Sequence, residues 1–182
     1  MVFNKLQLLQ LIKELHLDPI YGANTHVHAD HVTGTGELKR IFPKMQSVLS
    51  KFSGGKADVL VDDRELLKFG KNSLEVRTTP GHTDGNSKTL YKSIHEKIFT
   101  LPDDFLLYPG HDYKGLLQTS VGEEKKYNPR LTKSLDEFVE IMKNLKLAYP
   151  KQIDKSLPAN KVCGVFELMD EETRAKVKSG SS

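Results

Sequence analysis

The sequence predicts a single α/β domain. Stretches with the two-residue alternation of β-strands are followed by stretches with helical spacing of apolar residues, and histidines occur in turns directly after predicted strands. Strands alternating with helices are typical of sheets covered by helices, with polar sites at the strand ends. At 182 residues the chain is long enough to bury one sizeable core.

The first half of the chain alternates between the two types of element. Apolar residues at helical spacing predict a helix over residues 3–16, and a short strand follows over residues 19–24. A second helix is predicted from residue 36 to residue 42, where Pro43 ends it. Strand-forming residues then predict two further strands, over residues 46–49 and 58–61.

The second half contains the clearest strand pattern. Residues 74–79 alternate apolar and charged side chains and run into the turn Pro80-Gly81. A helix is predicted over residues 90–99 and a short strand over residues 105–108. Two helices have capping-box beginnings, a serine followed three residues later by a glutamate, at Ser120 and Ser134. The second helix is expected to bury Phe138, Ile141, Met142 and Leu145.

Composition and charge exclude several classes of protein. The 27 Lys and Arg residues barely outnumber the 24 Asp and Glu residues and are scattered, so no nucleic-acid partner is predicted. No apolar run is long enough to cross a bilayer, and the first residues show neither a secretory signal nor a transit peptide. The single cysteine, Cys163, excludes an internal disulfide and is interpreted as an ordinary thiol in a reducing compartment.

The predicted domain covers residues 1–169. Residues 170–182 are mostly charged or small and are expected to form a polar C-terminal tail.

A candidate metal site lies in the turns. Five of the seven histidines fall in three short segments: His26, His28 and His31 share one loop with Asp30, and His82 and His111 each follow Pro-Gly after a strand. Imidazole nitrogens and a carboxylate suit Zn, Fe and related divalent ions. Side chains two apart in this loop point the same way, so the loop can serve two adjacent metal positions.

Other polar residues are weaker candidates. Arg130 could pair with an anionic substrate and Tyr113 could donate a hydrogen bond to a ligand. Asp84 could be a metal ligand, but its place in Thr83-Asp84-Gly85 favours a role in a turn. His16 and His95 lie in predicted helices and are interpreted as structural or exposed.

The motifs resemble one family. Residues 25–31 (THVHADH) followed by residues 79–83 (TPGHT) resemble the hydroxyacylglutathione hydrolases (glyoxalase II) and the persulfide dioxygenases of the metallo-β-lactamase superfamily. The later motifs are similar to the persulfide dioxygenases in particular. These motifs are residues 91–102, 108–113, 128–132 and 158–160.

The resemblance implies an αββα sandwich that holds one Fe²⁺ and oxidises glutathione persulfide with O₂ to sulfite and glutathione. By motif, His26 and His82 are the histidine ligands of the iron. The resemblance implies no catalytic side chain separate from the metal site. Residues that match the two-metal site of the hydrolases would support the metal or bind a second one: His28, Asp30, His31 and His111.

The sequence also departs from this pattern. The family's strands before the first helix are missing, as are the strands after Gly85 that carry its Thr-Gly-Asp motif, whose aspartate is the carboxylate ligand. The sandwich is therefore expected to be incomplete and the chain to be a shortened family member. The motifs identify no third ligand, and Asp30 or Asp84 could substitute.

Two alternatives to the dioxygenase stay open from the sequence. One is a glyoxalase II-type thioester hydrolase with two metals, Zn²⁺ being the alternative to iron. The other is a non-catalytic shortened product. The resemblance implies the mitochondrial matrix, whereas the absence of a transit peptide leaves the cytoplasm open. The predicted partners are a small-molecule substrate and O₂, and a second copy in a homodimer is a further candidate.

Overall fold

The computed structural model describes residues 5–110, 115–145 and 151–179. Helices and short strands alternate through these ranges, which confirms the predicted α/β class. The helices are α1 (Lys5–Glu14), α2 (Thr35–Ile41), α3 (Ser87–Ser93), α4 (Val121–Tyr127), α5 (Leu135–Lys143), α6 (Ile153–Asn160) and α7 (Glu171–Ser179). The strands are β1 (Tyr21–Ala23), β2 (Gln46–Ser50), β3 (Val59–Val61), β4 (Leu66–Phe69), β5 (Asn72–Glu75), β6 (Leu106–Leu107) and β7 (Thr119–Ser120). Within the described ranges, no helix is long and apolar enough to cross a membrane.

The chain divides into two compact units. Among the described residues, the first unit comprises residues 5–76 and 151–179, and the second comprises residues 77–110 and 115–145. The expectation of one domain over residues 1–169 stays a prediction.

A parallel sheet in the order β1-β2-β3 forms the centre of the first unit. Val48 and Leu49 of the middle strand are almost fully buried. Parallel neighbours cannot be joined by a tight turn, and α2 supplies the crossover between β1 and β2. The histidine loop leaves the sheet at the end of β1, so it lies at the carboxyl edge where ligand sites form in such sheets.

Strands β4 and β5 form a separate antiparallel hairpin. Gly70 in its turn has a φ of 56°, a conformation that glycine adopts without steric cost. Leu67 packs into a cluster with Val48 and Val61, whereas all four residues of β5 are exposed. The strand predicted over residues 74–79 thus begins and ends earlier than expected. Strand β4 was not predicted, because Leu66-Leu67-Lys68-Phe69 does not alternate apolar and polar side chains.

The predicted polar tail over residues 170–182 is corrected by α7. Val177 in this helix is only 3% exposed and packs with Ala159, Val162 and Met169. The guanidinium group of Arg174 donates to the backbone carbonyl oxygens of Glu167 and Met169 at 2.9 Å each. Apart from Val177, the segment is nearly all charged or small, so its sequence carried no signal of an apolar helix face.

The second unit is built around α3 and α5. Asn86 caps α3 by accepting the Thr89 N–H at 3.0 Å, and Ser134 and Glu137 form the predicted reciprocal capping box of α5. At Ser120 only the serine side of the box is present, because Glu123 accepts a hydrogen bond from Thr119 instead. Of the four residues expected to be buried in α5, Phe138 is buried, and the other three are half-buried.

Asp58, just before β3, ties three elements of the first unit together. Its carboxylate accepts the backbone N–H and the hydroxyl of Ser47 in β2, at 2.6 and 2.7 Å, and pairs with Lys39 of α2. Burial raises the pKa of Asp58, but the hydrogen bonds from Lys39 and Ser47 outweigh this effect and lower the pKa to about 2.

We expect Val177→Ala to lower the free energy of unfolding by about 1–3 kcal/mol, because it removes buried methyl groups from a packed cluster. A solvated tail would tolerate this change. Ala175→Gln at an exposed position of the same helix is the matched control and should change stability by less than about 0.5 kcal/mol. Urea denaturation measures the free energy of unfolding of the two variants, and equal values for both would contradict the packing of α7.

A second prediction concerns pH. Because the pKa of Asp58 is lower in the folded state, its stabilising contribution is fully present above about pH 4 and is lost as the pH falls toward about 2. In urea denaturation between pH 2 and pH 5, Asp58→Asn should therefore flatten the rise of unfolding free energy with pH. Lys39→Met leaves the Ser47 hydrogen bonds in place and should flatten it less. An unchanged slope in Asp58→Asn would refute this role.

Candidate metal centre

The histidine loop brings three metal-binding side chains together. The nitrogen atoms of His28 and His31 and a carboxylate oxygen of Asp30 all lie within 4.8 Å of one another. Asp30 Oδ1 lies 3.1 Å from His31 Nδ1 and 4.0 Å from His28 Nδ1. The His28 side chain is 15% exposed, whereas that of Asp30 is 53% exposed, so the cluster is shielded from solvent at His28 and accessible to solvent at Asp30. Two imidazoles and one carboxylate make a donor set suited to Fe²⁺ or Zn²⁺.

His26 lies beside this cluster. Its ring centroid is 4.0 Å from that of His28, and the rings of His28 and His31 are 4.5 Å apart. His26 Nδ1 shares a hydrogen bond of 2.9 Å with the hydroxyl of Thr25. Such a bond fixes the orientation of the ring and leaves Nε2 to face another group. All four metal-binding side chains that the loop motif predicted are therefore neighbours.

The loop is fastened behind these side chains by buried polar groups. Asn24 Oδ1 accepts the Thr33 hydroxyl at 2.6 Å, and its Nδ2 donates to the Thr35 hydroxyl at 3.2 Å. At the far side of the loop, the carboxamide of Asn160 bonds to three backbone groups between residues 28 and 33. Neither asparagine was predicted to support the site, and Asn160 lies more than 120 residues from the loop, so no local pattern indicates its role.

Cys163 is part of this support. It is fully buried. Burial raises the pKa of the Cys163 thiol more than the neighbouring side chains of Ser47 and Asn24 lower it, so the neutral thiol is favoured. Cys163 was interpreted as an ordinary thiol, and the structure shows that it is a buried one.

Two glycines allow α2 and the end of the histidine loop to approach the turn after α6 closely. A Cβ atom on Gly36 would lie 2.0 Å from the carbonyl oxygen of Gly164, a distance at which no side chain fits. Gly164 itself has a φ of 71°, and a Cβ there would come within 2.9 Å of the Thr33 carbonyl oxygen. Any larger residue at either position would push the histidine loop away from the turn that supports it.

The other predicted ligands are not part of the histidine loop. His82 is exposed and belongs to the second unit, whereas His26 belongs to the first, so their pairing on one metal stays a prediction. Asp84 accepts the Asn86 N–H at 3.2 Å, as expected of a turn residue. His111 and Tyr113 lie outside the described residues.

The remaining candidates follow the sequence interpretation. The ring of His95 stacks on Tyr91 at 3.8 Å and meets the edge of Phe99, so this histidine is structural. His16 is exposed just after α1, with a φ of 50°. Arg130 is exposed in a turn that Asn128 caps by accepting the Arg130 N–H at 3.0 Å, and its role toward a substrate stays a prediction.

We expect the chain to bind a divalent ion at this loop. His28→Asn should raise the dissociation constant for Zn²⁺ at least about tenfold, or about 1.4 kcal/mol, because it removes one imidazole ligand. His16→Asn is the matched control, since it removes an exposed imidazole elsewhere and asparagine tolerates the left-handed backbone. Chelator competition measures both constants, and equal values for His28→Asn and the unaltered chain would argue against the site.

Comparison with known proteins places this geometry in context. No family model matches the chain. Human persulfide dioxygenase ETHE1, a mitochondrial protein, is 46% identical, with 86% of this chain and 74% of the human protein covered. The crystal structure of ETHE1 from Myxococcus xanthus matches with a TM-score of 0.82 at 39% identity, covering 86% of this chain and 82% of that one.

Other proteins match the chain at lower sequence identity. A metallo-β-lactamase from Staphylococcus aureus shares the fold, with a TM-score of 0.74 at 20% identity over 86% of this chain and 61% of its own. Proteins named as hydroxyacylglutathione hydrolases match at only 25–26% identity.

The alignment with the human protein also reveals an internal difference in length. It spans 187 positions, whereas 86% of this 182-residue chain is about 157 residues. About 30 aligned positions of the human protein therefore have no counterpart here. This agrees with the expectation that strands are missing inside the chain, and their location after Gly85 stays a prediction. Identity of 46% over 74% of the human protein shows that this chain belongs to the ETHE1 persulfide dioxygenase family of the metallo-β-lactamase superfamily.

Proposed function

We propose that this protein is a persulfide dioxygenase that uses one iron ion at the histidine loop. The observation that carries the proposal is the 46% identity to human persulfide dioxygenase, together with the His28–Asp30–His31 cluster. The reaction converts glutathione persulfide, O₂ and water into glutathione and sulfite with release of two protons. The terminal sulfur gives up four electrons, and O₂ accepts them.

The donor set fits iron. Two imidazole nitrogens and one carboxylate oxygen are the ligands of many non-haem Fe(II) oxygenases, which leave coordination positions open. Bound iron would supply the redox centre at which O₂ and the sulfur substrate meet. Zn²⁺ prefers similar ligands but cannot change its oxidation state, so it suits the hydrolytic alternative.

Asp30 is the carboxylate that we assign to the iron. It lies within 4.8 Å of both histidine nitrogens of the cluster, whereas the carboxylate of Asp84 accepts a backbone hydrogen bond in a turn of the second unit. His28 and His31 are then the imidazole ligands. The His26–His82 pair inferred from motif resemblance is the competing assignment.

The surrounding residues orient these groups before any substrate arrives. Thr25 holds one nitrogen of His26, and Asp30 Oδ1 lies within hydrogen-bonding distance of His31 Nδ1. A carboxylate beside an imidazole sets the tautomer of the ring and raises its basicity. Asp30 is the most exposed side chain of the cluster, so a thiol-derived substrate and O₂ would approach the metal from its side.

A mitochondrial location follows as part of the proposal, because the human and mouse relatives are named as mitochondrial proteins.

One observation favours a second candidate. One loop carries four donor side chains, and the ring centroids of His26 and His28 are only 4.0 Å apart. This is more than a single ion needs, and it matches the motif of the two-metal thioester hydrolases. This alternative predicts about two metals per chain and cleavage of S-lactoylglutathione. The identity of 46% to the dioxygenase against 25–26% to the hydrolases makes it the second choice.

Oxygen consumption with glutathione persulfide tests the proposal. The iron-loaded chain should consume O₂ and form sulfite, and Asp30→Asn should lower the rate at least about tenfold by removing the carboxylate ligand. Asp84→Asn keeps an oxygen acceptor in the turn and should retain the rate, which separates the two carboxylates.

Three outcomes would contradict the proposal, and each points to a different conclusion. No O₂ consumption above buffer, beside an active human relative, would refute the activity. Two bound metals with S-lactoylglutathione cleavage would favour the hydrolase. Failure of iron to raise the thermal midpoint, since ligands that bind the folded state stabilise it, would indicate a non-catalytic chain.

A further inference from the structure

One buried carboxamide holds both ends of the metal-binding turn. Asn160, the last residue of α6, is 2% exposed. Its Nδ2 donates to the backbone carbonyl oxygens of His28 at 2.8 Å and His31 at 2.7 Å. Its Oδ1 accepts the backbone N–H of Thr33 at 2.8 Å. The two N–H groups of the side chain and one lone pair of its oxygen are thus used on one short segment.

Two of these hydrogen bonds are made to the backbone of the residues that we propose as metal ligands. The two carbonyl groups belong to the two histidines of the cluster, and Asp30 lies between them in sequence. Because both carbonyl oxygens are bound to the same nitrogen atom, the separation of the two backbone units is fixed by one rigid group. Rotation of either unit would displace an imidazole and break a buried hydrogen bond, and an unpaired buried group is costly.

The support behind Asn160 is itself rigid. Three residues after Asn160 the chain turns at Cys163 and Gly164, both in the left-handed conformation, and the Gly164 carbonyl oxygen packs against Gly36. The turn after α6 is therefore fixed to α2 and to the histidine loop at the same time.

We propose that Asn160 is the positioning residue of the metal site, which sets the distance between His28 and His31 through their backbone carbonyls without touching the metal. This role rests on the proposed metal site in the loop. The chemistry requires a neutral carboxamide at this position, since only a group with two N–H donors and one acceptor satisfies all three backbone partners.

Co²⁺ binding to the full chain tests the role. Asn160→Asp keeps the size of the side chain and an acceptor for Thr33 but loses both donors. It should raise the Co²⁺ dissociation constant about 10- to 100-fold and alter the visible absorption of the bound ion. Val177→Ala weakens the adjoining apolar cluster without contacting the loop, and should change the dissociation constant less than about threefold. Asn160→Ser, which removes the carboxamide without adding a charge, is measured in parallel.

A metal-free readout separates this role from the proposed function. In the apo chain, the ring NMR signals of His28 and His31 should shift in both Asn160 variants and stay in place in Val177→Ala. If the unaltered chain binds no Co²⁺, the proposed metal function fails, and these signals alone decide the role of Asn160. Unchanged ring signals, or equal changes in Val177→Ala, would overturn it. Loss of cooperative unfolding in both Asn160 variants would assign Asn160 to general stability and overturn it as well.

Discussion

The structure of the candidate site depends on buried amide hydrogen bonds that join the histidine loop to the end of α6. Asn24 holds the start of the loop and Asn160 holds its centre, so the loop has fixed points on two sides. A loop of this kind without partners would leave several backbone polar groups in a poorly hydrated place, at a cost of about 1–3 kcal/mol for each. The close contact of Gly36 with Gly164 keeps the two segments near enough for these bonds to form.

The hydrogen bonds that hold the histidine loop all lie within one unit of the chain. The segments that hold the loop come from residues before 77 and after 148, which form one unit. The alignment deficit of about 30 positions does not remove any of these described contacts. The histidine loop is therefore held in place within one unit, by the hydrogen bonds of Asn24 and Asn160.

The hairpin of β4 and β5 shows a different consequence. Leu66 and Leu74 are 54% and 59% exposed, and two-stranded sheets are marginally stable in water. Leu67 packs with Val48 and Val61, and this apolar contact helps to hold the hairpin against the parallel sheet. Exposed apolar side chains on a short sheet are what the loss of neighbouring strands would produce, and they predispose such a surface to association.

Local signals in the sequence predicted much of this structure, and long-range contacts could not be predicted. The capping box at Ser134 and the cluster of His28 and His31 depend on residues within a few positions, so their motifs were sufficient. The helix α7 was missed because one valine among charged residues carries no pattern. Asn160 was noted only as part of a motif, since its partners lie about 130 residues away and a sequence without the fold does not bring them together.

An anomalous-diffraction structure of the iron-loaded chain tests the assignment of the metal ligands most directly. We predict one iron peak within about 2.0–2.2 Å of His28, Asp30 and His31, the distances typical of nitrogen and oxygen ligands. A peak bound by His26 and His82 with Asp30 turned away, or two peaks sharing the loop, would contradict this account.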